Sequence, residues 1–183
     1  MTVTGDVADE DGSGTSGRWL LDVSPVVAVA VLLVGVHRLP VSIQRELVFE
    51  YGTPTLFTAY TAHFVHLSAT HLSTNLAAFV LVTGTIYALS VEADRRRIYF
   101  AFGAILFIAF PVSLSALNLA IPRNGATYGF SGLNMALVGF LPVTIATYVE
   151  RRLEWTVDGT VLVAAFVASV GYIAANALPQ FQG

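Results

Sequence analysis

The sequence predicts an all-α, polytopic membrane helix bundle, and three observations carry that expectation. Of 183 residues, 55% are hydrophobic and only 11% charged, against about 25% charged in ordinary soluble domains. The apolar residues gather into five segments near the length of about 20 residues that spans a bilayer core as a helix. The arginines fall mainly in the loops on one side of those segments.

The chain opens with MTVTGDVADEDGSGTSG, residues 1–17, acidic and rich in Gly, Ser and Thr. Such a stretch buries too little apolar surface to offset ordering, so a disordered acidic tail is expected, followed by a membrane domain over 18–183. A secretory signal has a basic start before its apolar core, and this tail has the opposite sign. The first apolar stretch is therefore read as a membrane helix.

The expected spans are Trp19 to Val36, His71 to Ser90, Ile98 to Ala120, Tyr128 to Tyr148 and Gly159 to Leu178. The first is weakest, because Asp22 and Pro25 sit near its start. The other four contain no formal charge, and Pro111 and Pro142 are expected to kink the third and fourth. Between the first two, Thr53 to Thr70 reads as a loop with a short interfacial helix.

Arginine placement sets the orientation. Arg18, Arg95, Arg96, Arg97, Arg151 and Arg152 fall on one side, and Arg38, Arg45 and Arg123 on the other. The N-terminus is expected inside, in a multi-pass protein of the cell membrane. With 12 acids, nine bases and no lysine, no nucleic-acid partner is expected, and the apolar spans make the lipid bilayer the chain's surroundings. The absence of cysteine excludes disulfides and thiolate metal sites. His63, His66 and His71, at spacings of three and five, do not share a helical face and have no carboxylate nearby, so neither a metal nor a cofactor is expected. His37, beside Arg38, reads as interfacial.

Two polar clusters interrupt the apolar pattern. The second span begins HLSTN, which puts His71 and Asn75 on one helical face. The fourth begins YGFSG, with Ser131 expected about one turn into its helix. Both spans run inward, so the three residues share a depth of about 5–10 Å below the outer interface. Polar side chains inside a span usually face a bundle interior or wet cavity. A hydroxyl opposite an imidazole and an amide has the parts of a nucleophile with oxyanion donors. The residues alone leave a packing alternative open. Gly125 and Gly129 form a GxxxG, Gly132, Ala136 and Gly139 continue a small-residue stripe, and Asn75 is equally suited to bridge two helices. A transporter would want polar groups near the midplane, and the third and fifth spans offer few.

Together, His71-Leu-Ser-Thr-Asn75 and Gly129-Phe-Ser-Gly132 resemble the rhomboid family of intramembrane serine proteases, with its H-x-x-x-N on the second helix and G-x-S-G at the outer end of the fourth. His66, five residues before His71, and Gly139, eight past Ser131, extend the resemblance over roughly residues 55–145. It implies that Ser131 is the nucleophile attacking a peptide bond of a transmembrane substrate. His71, Asn75 and the Ser131 N–H would hold the oxyanion, while Gly129 lets substrate approach and Gly132 and Gly139 let helices pack. The family's general base is a histidine in a sixth helix. All four histidines here precede Ser131, and Met135 stands where the family has Phe or Tyr. The expectation is a domain lacking that final helix, hence a weakly active truncated protease. The alternative is a non-catalytic rhomboid-like protein that binds client helices.

Overall fold

The structure, a computed structural model, describes residues 13–120 and 124–177. Eight helices follow in chain order: α1 Ser13–His37, α2 Val41–Glu46, α3 Leu56–Thr61, α4 Ala69–Glu92, α5 Arg96–Ile108, α6 Phe110–Leu119, α7 Ser131–Arg152 and α8 Gly159–Ala177. A single 3-10 turn, Ala62–Phe64, follows α3. Among the described residues the one ladder is a two-residue antiparallel pairing, β1 Phe49–Glu50 with β2 Ala126–Thr127. It ties the loop after α2 to the segment leading into α7. Helix α1 begins at Ser13, so the end of the tail expected to be disordered is helical, and residues 1–12 lie outside the described residues.

By length and composition three stretches are able to cross a membrane: Trp19–Arg38, Ala69–Glu92 and Ser131–Arg152. Helices α5 and α6 form a fourth, bent by 47°. The described part of α8 supplies a shorter apolar helix, Gly159–Ala168. These correspond to the five expected spans: the third is bent at a break beside Pro111, as expected, and the fourth is one continuous helix with Pro142 inside it. Leu21, Val31, Leu81, Ile108 and Val163 are exposed around the bundle. So large an apolar perimeter belongs in lipid, not water.

Helices α4 and α7 run in parallel and form the most extensive interface. Their shared core includes Leu72, Phe79, Phe130, Leu133 and Leu137, with Phe79 edge-on to Phe130 at 5.2 Å between ring centroids. At their C-terminal ends Arg152 reaches back to the Glu92 carbonyl, and its Nη2 lies 3.9 Å from both the Glu92 and Asp94 carboxylates. Pinning both ends fixes the axial register of the two helices.

Asp22, a blemish in the apolar pattern of α1, is buried and accepts hydrogen bonds from Tyr87 of α4 and Arg96 of α5. A buried carboxylate in a membrane domain needs such a partner. Here the pair holds α1 against the two helices beside it.

The break between α5 and α6 has an identifiable cause. Pro111 lacks an N–H and its ring crowds the carbonyl four residues back, that of Phe107. The freed Phe107 carbonyl accepts from Tyr60 Oη at 2.8 Å. One turn on, His63 Nε2–H is shared between the Pro111 carbonyl, 2.9 Å, and Ser115 Oγ, 3.0 Å, whose own hydroxyl donates to the Ala59 carbonyl at 2.8 Å. The short helix α3 and its 3-10 turn thus cap the broken span and hold the preceding loop against it.

Candidate active site

Ser68 ends the loop before α4 in extended backbone, and its hydroxyl accepts from the His71 N–H, an N-cap that sets where α4 starts. His71 is therefore in the first turn of α4, and Asn75 one turn deeper and buried. Across from them Gly129 adopts φ +110°, a conformation favoured by glycine. This turn points the chain into α7 and brings the Gly129 backbone against the His71 imidazole. A Cβ at Gly129 would lie 2.7 Å from His71 Cε1 and 3.2 Å from Nε2. Only glycine fits between the two motifs.

Ser131 is the first residue of α7, with Phe130 as N-cap. The expectation of a position one turn into the helix is thus corrected. The shift matters chemically. At the first position the Ser131 N–H has no intrahelical acceptor and sits at the positive end of the helix dipole. Its side chain is exposed, and among the described residues nothing hydrogen-bonds to Oγ. Met135, one turn on, is exposed on the same side.

Asn75 donates from Nδ2 to the His71 carbonyl at 2.9 Å, which leaves its second N–H uncommitted. Its Oδ1 accepts from Asn134 Nδ2 at 3.1 Å, and Asn134 also donates to the Asn75 carbonyl at 3.0 Å. Asn134 thus fixes which way the Asn75 amide faces. Sequence reasoning passed over it, although a buried asparagine three residues past Ser131 in an apolar span was a visible signal.

His66 is fully buried beneath the site. Its Nε2 accepts the Phe130 N–H at 3.3 Å, its ring stands edge-on to His71 at 5.0 Å between centroids, and its carbonyl meets His37 Nδ1 at 2.6 Å. Burial above all, and then the neighbouring His71 imidazole, push the His66 imidazole from its ordinary 6.5 down to about 4, against a smaller upward pull from the Phe64 carbonyl. A neutral His66 is what the geometry requires, because Nε2 must keep its lone pair to accept the Phe130 N–H. His37, expected to be interfacial, closes this row at the end of α1. Gly129 N–H donates to the Ala62 carbonyl at 2.9 Å, a second tether of the turn.

Of the remaining residues singled out, Gly132 faces Leu114 of α6 so closely that a Cβ would overlap Leu114 Cδ2. Gly139 lets Phe166 of α8 approach, its Cε2 being 3.3 Å from where a Cβ would stand. Gly125 has φ +93° with open space around it. Gly132 and Gly139 thus serve the contacts of α7 with α6 and with α8, while Ser131 is exposed. Among the described residues no cluster of three or more His, Asp or Glu is able to hold a metal.

Fold and site together define a polytopic helical membrane protein with a serine at the mouth of one helix and a histidine–asparagine pair on its neighbour. A family model, the Rhomboid domain, matches residues 53–181, which is most of the described bundle and both motifs. The chain belongs to the rhomboid family. No curated protein and no solved structure matches it.

Proposed function

We propose that this protein is a rhomboid-type serine endopeptidase of the cell membrane, cleaving transmembrane helices near the outer face with Ser131 as nucleophile. The observation that carries the reading is the Gly129 turn against His71. It brings the serine's helix N-terminus and the H-x-x-x-N helix to one end of the bundle. In the reaction Ser131 Oγ attacks a peptide carbonyl, and the oxygen that becomes negative is met by the Ser131 N–H, His71 and the free N–H of Asn75. Loss of one such donor typically costs about 10²–10³ in rate. The substrate helix unwinds near small residues to present an extended bond. The arginines at the opposite end, Arg95 to Arg97 and Arg151 with Arg152, face the cytoplasm and set the N-terminus inside. Trp155→Cys, in the exposed α7–α8 connection of a chain without native cysteine, then resists impermeant thiol reagents in intact cells; ready labelling would overturn that orientation.

One observation favours a second reading. Serine attack needs a base, and the four histidines hold other positions: His37 on the His66 carbonyl, His63 on Pro111 and Ser115, His66 under Phe130, and His71 against Gly129. A rhomboid-like protein that binds client helices at the same mouth, without cleavage, uses this geometry as it stands. A fluorophosphonate probe on the full-length protein in native membranes separates the two. Labelling of wild type that disappears in Ser131→Ala supports the peptidase. Equal labelling of both sinks the nucleophile assignment, and labelling of neither supports the client-binding reading.

A further inference from the structure

At the end of the bundle far from Ser131, the corner between α4 and α5 encloses a hollow of about 550 Å³. It lies where α4 stops at Glu92 and α5 starts at Arg96, the ends of two spans, and so at the level of lipid headgroups. Its lining joins two chemistries. Arg95, Arg96 and Arg97 supply guanidinium groups, and Val91, Ile98 and Phe100 supply an apolar wall. Val91 and Ile98 are exposed beside the charges.

The three arginines are not equivalent. Arg96 is committed, for its guanidinium pairs with Asp22 and lies over the Phe100 ring at 5.3 Å. Arg95 and Arg97 are exposed, and among the described residues neither side chain meets a carboxylate or any hydrogen-bond partner. The one carboxylate on the lining, Asp94, lies 3.9 Å from Arg152 Nη2, as does that of Glu92. Two positive charges therefore line the hollow without compensation. The start of α5 adds to them, since no side chain caps it and the first N–H groups of a helix mark the positive end of its dipole. Setting topology needs only that arginines lie on this side of the membrane. It does not need two uncompensated guanidinium groups on one concave surface with an apolar wall.

We propose that this hollow binds an anionic phospholipid, with Arg95 and Arg97 holding its phosphate. The planar fork of arginine matches phosphate oxygens two at a time. The apolar wall selects a lipid over a free ion, because Val91 and Ile98 offer a seat for the first carbons of the acyl chains and nothing to inorganic phosphate. The bound headgroup also lies beside Arg96, so it reinforces the corner at which the Asp22 pair holds α1.

The test uses full-length protein, delipidated in neutral detergent, with bound lipid counted by native mass spectrometry. The probes are phosphatidylglycerol and phosphatidylcholine of identical chains; both carry the phosphate, and only the second cancels its charge with an ammonium. Wild type should retain phosphatidylglycerol in preference. Arg95→Gln with Arg97→Gln should lower that preference by about fivefold for each arginine removed. Arg38→Gln with Arg45→Gln removes the same charge from exposed positions at the other end and should leave the preference unchanged. Equal loss in the two double variants would mean attraction to charge in general and overturn the proposal, as would a wild type without preference. Displacement of phosphatidylglycerol by millimolar inorganic phosphate would make the ligand a free ion and overturn the lipid. Since Arg95 and Arg97 hold nothing in the fold, their double variant should match the wild-type thermal midpoint in phosphatidylcholine. Phosphatidylglycerol should then raise the midpoint of wild type alone; an equal rise in the variant refutes the site. Neither readout needs proteolysis, so both stand apart from the fate of Ser131.

Discussion

Replacing Gly129 by alanine isolates the contact that joins the two motifs. Two costs add. At φ +110° a residue with a Cβ is strained by about 1–3 kcal/mol. In addition the new methyl would lie 2.7 Å from His71 Cε1. Restoring an ordinary 3.4 Å moves the imidazole by about 0.7 Å, an overpacking that costs about 1–3 kcal/mol more. Gly125→Ala is the matched control, for it has φ +93° and nothing within 4 Å of its Cβ. Unfolding free energies of both variants in detergent micelles should therefore fall by about 1–3 kcal/mol for Gly125→Ala and about 2–6 kcal/mol for Gly129→Ala. The His71 Cε1–H resonance in selectively labelled protein should move only in Gly129→Ala. If Ser131 reacts with fluorophosphonate, displacement of His71, the proposed oxyanion donor, by most of an ångström should slow labelling by up to about 10²-fold. Equal destabilisation of the two variants, with the His71 resonance unmoved, would refute the claim that glycine is required there by His71 rather than by backbone conformation alone.

Asn134→Leu leaves Asn75 Oδ1 buried without its donor, so stability should fall by about 1–2 kcal/mol and any Ser131 labelling should slow; unaltered stability and labelling would show that Asn134 does not orient Asn75. His66 titrates near 4 in the folded protein against 6.5 unfolded. Between those values the unfolded chain binds more protons, so stability is full above pH 6.5 and declines as pH falls toward 4. His63, lowered by burial against the pull of the Pro111 carbonyl, acts in the same direction, and thermal midpoints of wild type and His66→Gln across this window should show a shallower slope in the variant. Asp22→Asn deprives Arg96 of its carboxylate and should lower the midpoint, whereas Asp22→Leu with Arg96→Leu should recover most of the loss. A double variant no better than the single one would mean that the pair holds the helices by more than mutual neutralisation.

Hydropathy was sufficient for the spans, because burying backbone in lipid admits little besides helix and each apolar run must cover the bilayer. The pairing of His71 and Asn75 was legible too, since spacing four is one helical turn, and the order of the motifs implied the parallel course of α4 and α7. What the sequence hid was long-range compensation. Asp22 read as a flaw in the first span, yet its partner stands 74 residues away. Pro111 announced a bend, but nothing local showed that Tyr60 and His63 would cap the carbonyls around it. The position of Ser131 was missed because an apolar pattern does not mark where a helix starts. The turn at Gly129 does, and its φ is a property of the folded chain.

The histidines show why composition misleads at such a site. Four imidazoles around an exposed serine suggest proton transfer. In the fold His63 closes a broken helix, His66 supports the Phe130 amide from below, His37 closes on the carbonyl of His66, and only His71 faces the mouth of α7. Three of the four are thus structural: His66, backed by His37, supports the turn between Gly129 and Ser131, and His63 holds the broken span. A site held this firmly from beneath presents Ser131, His71 and Asn75 in a fixed geometry, which under the proposed reaction is the arrangement that stabilises a transition state without reorganisation. The same rigidity leaves these three imidazoles no freedom to reach Ser131 Oγ. The proposed catalysis therefore turns on whether a further group meets that hydroxyl, and the dependence of fluorophosphonate labelling on Ser131 reads out that single step.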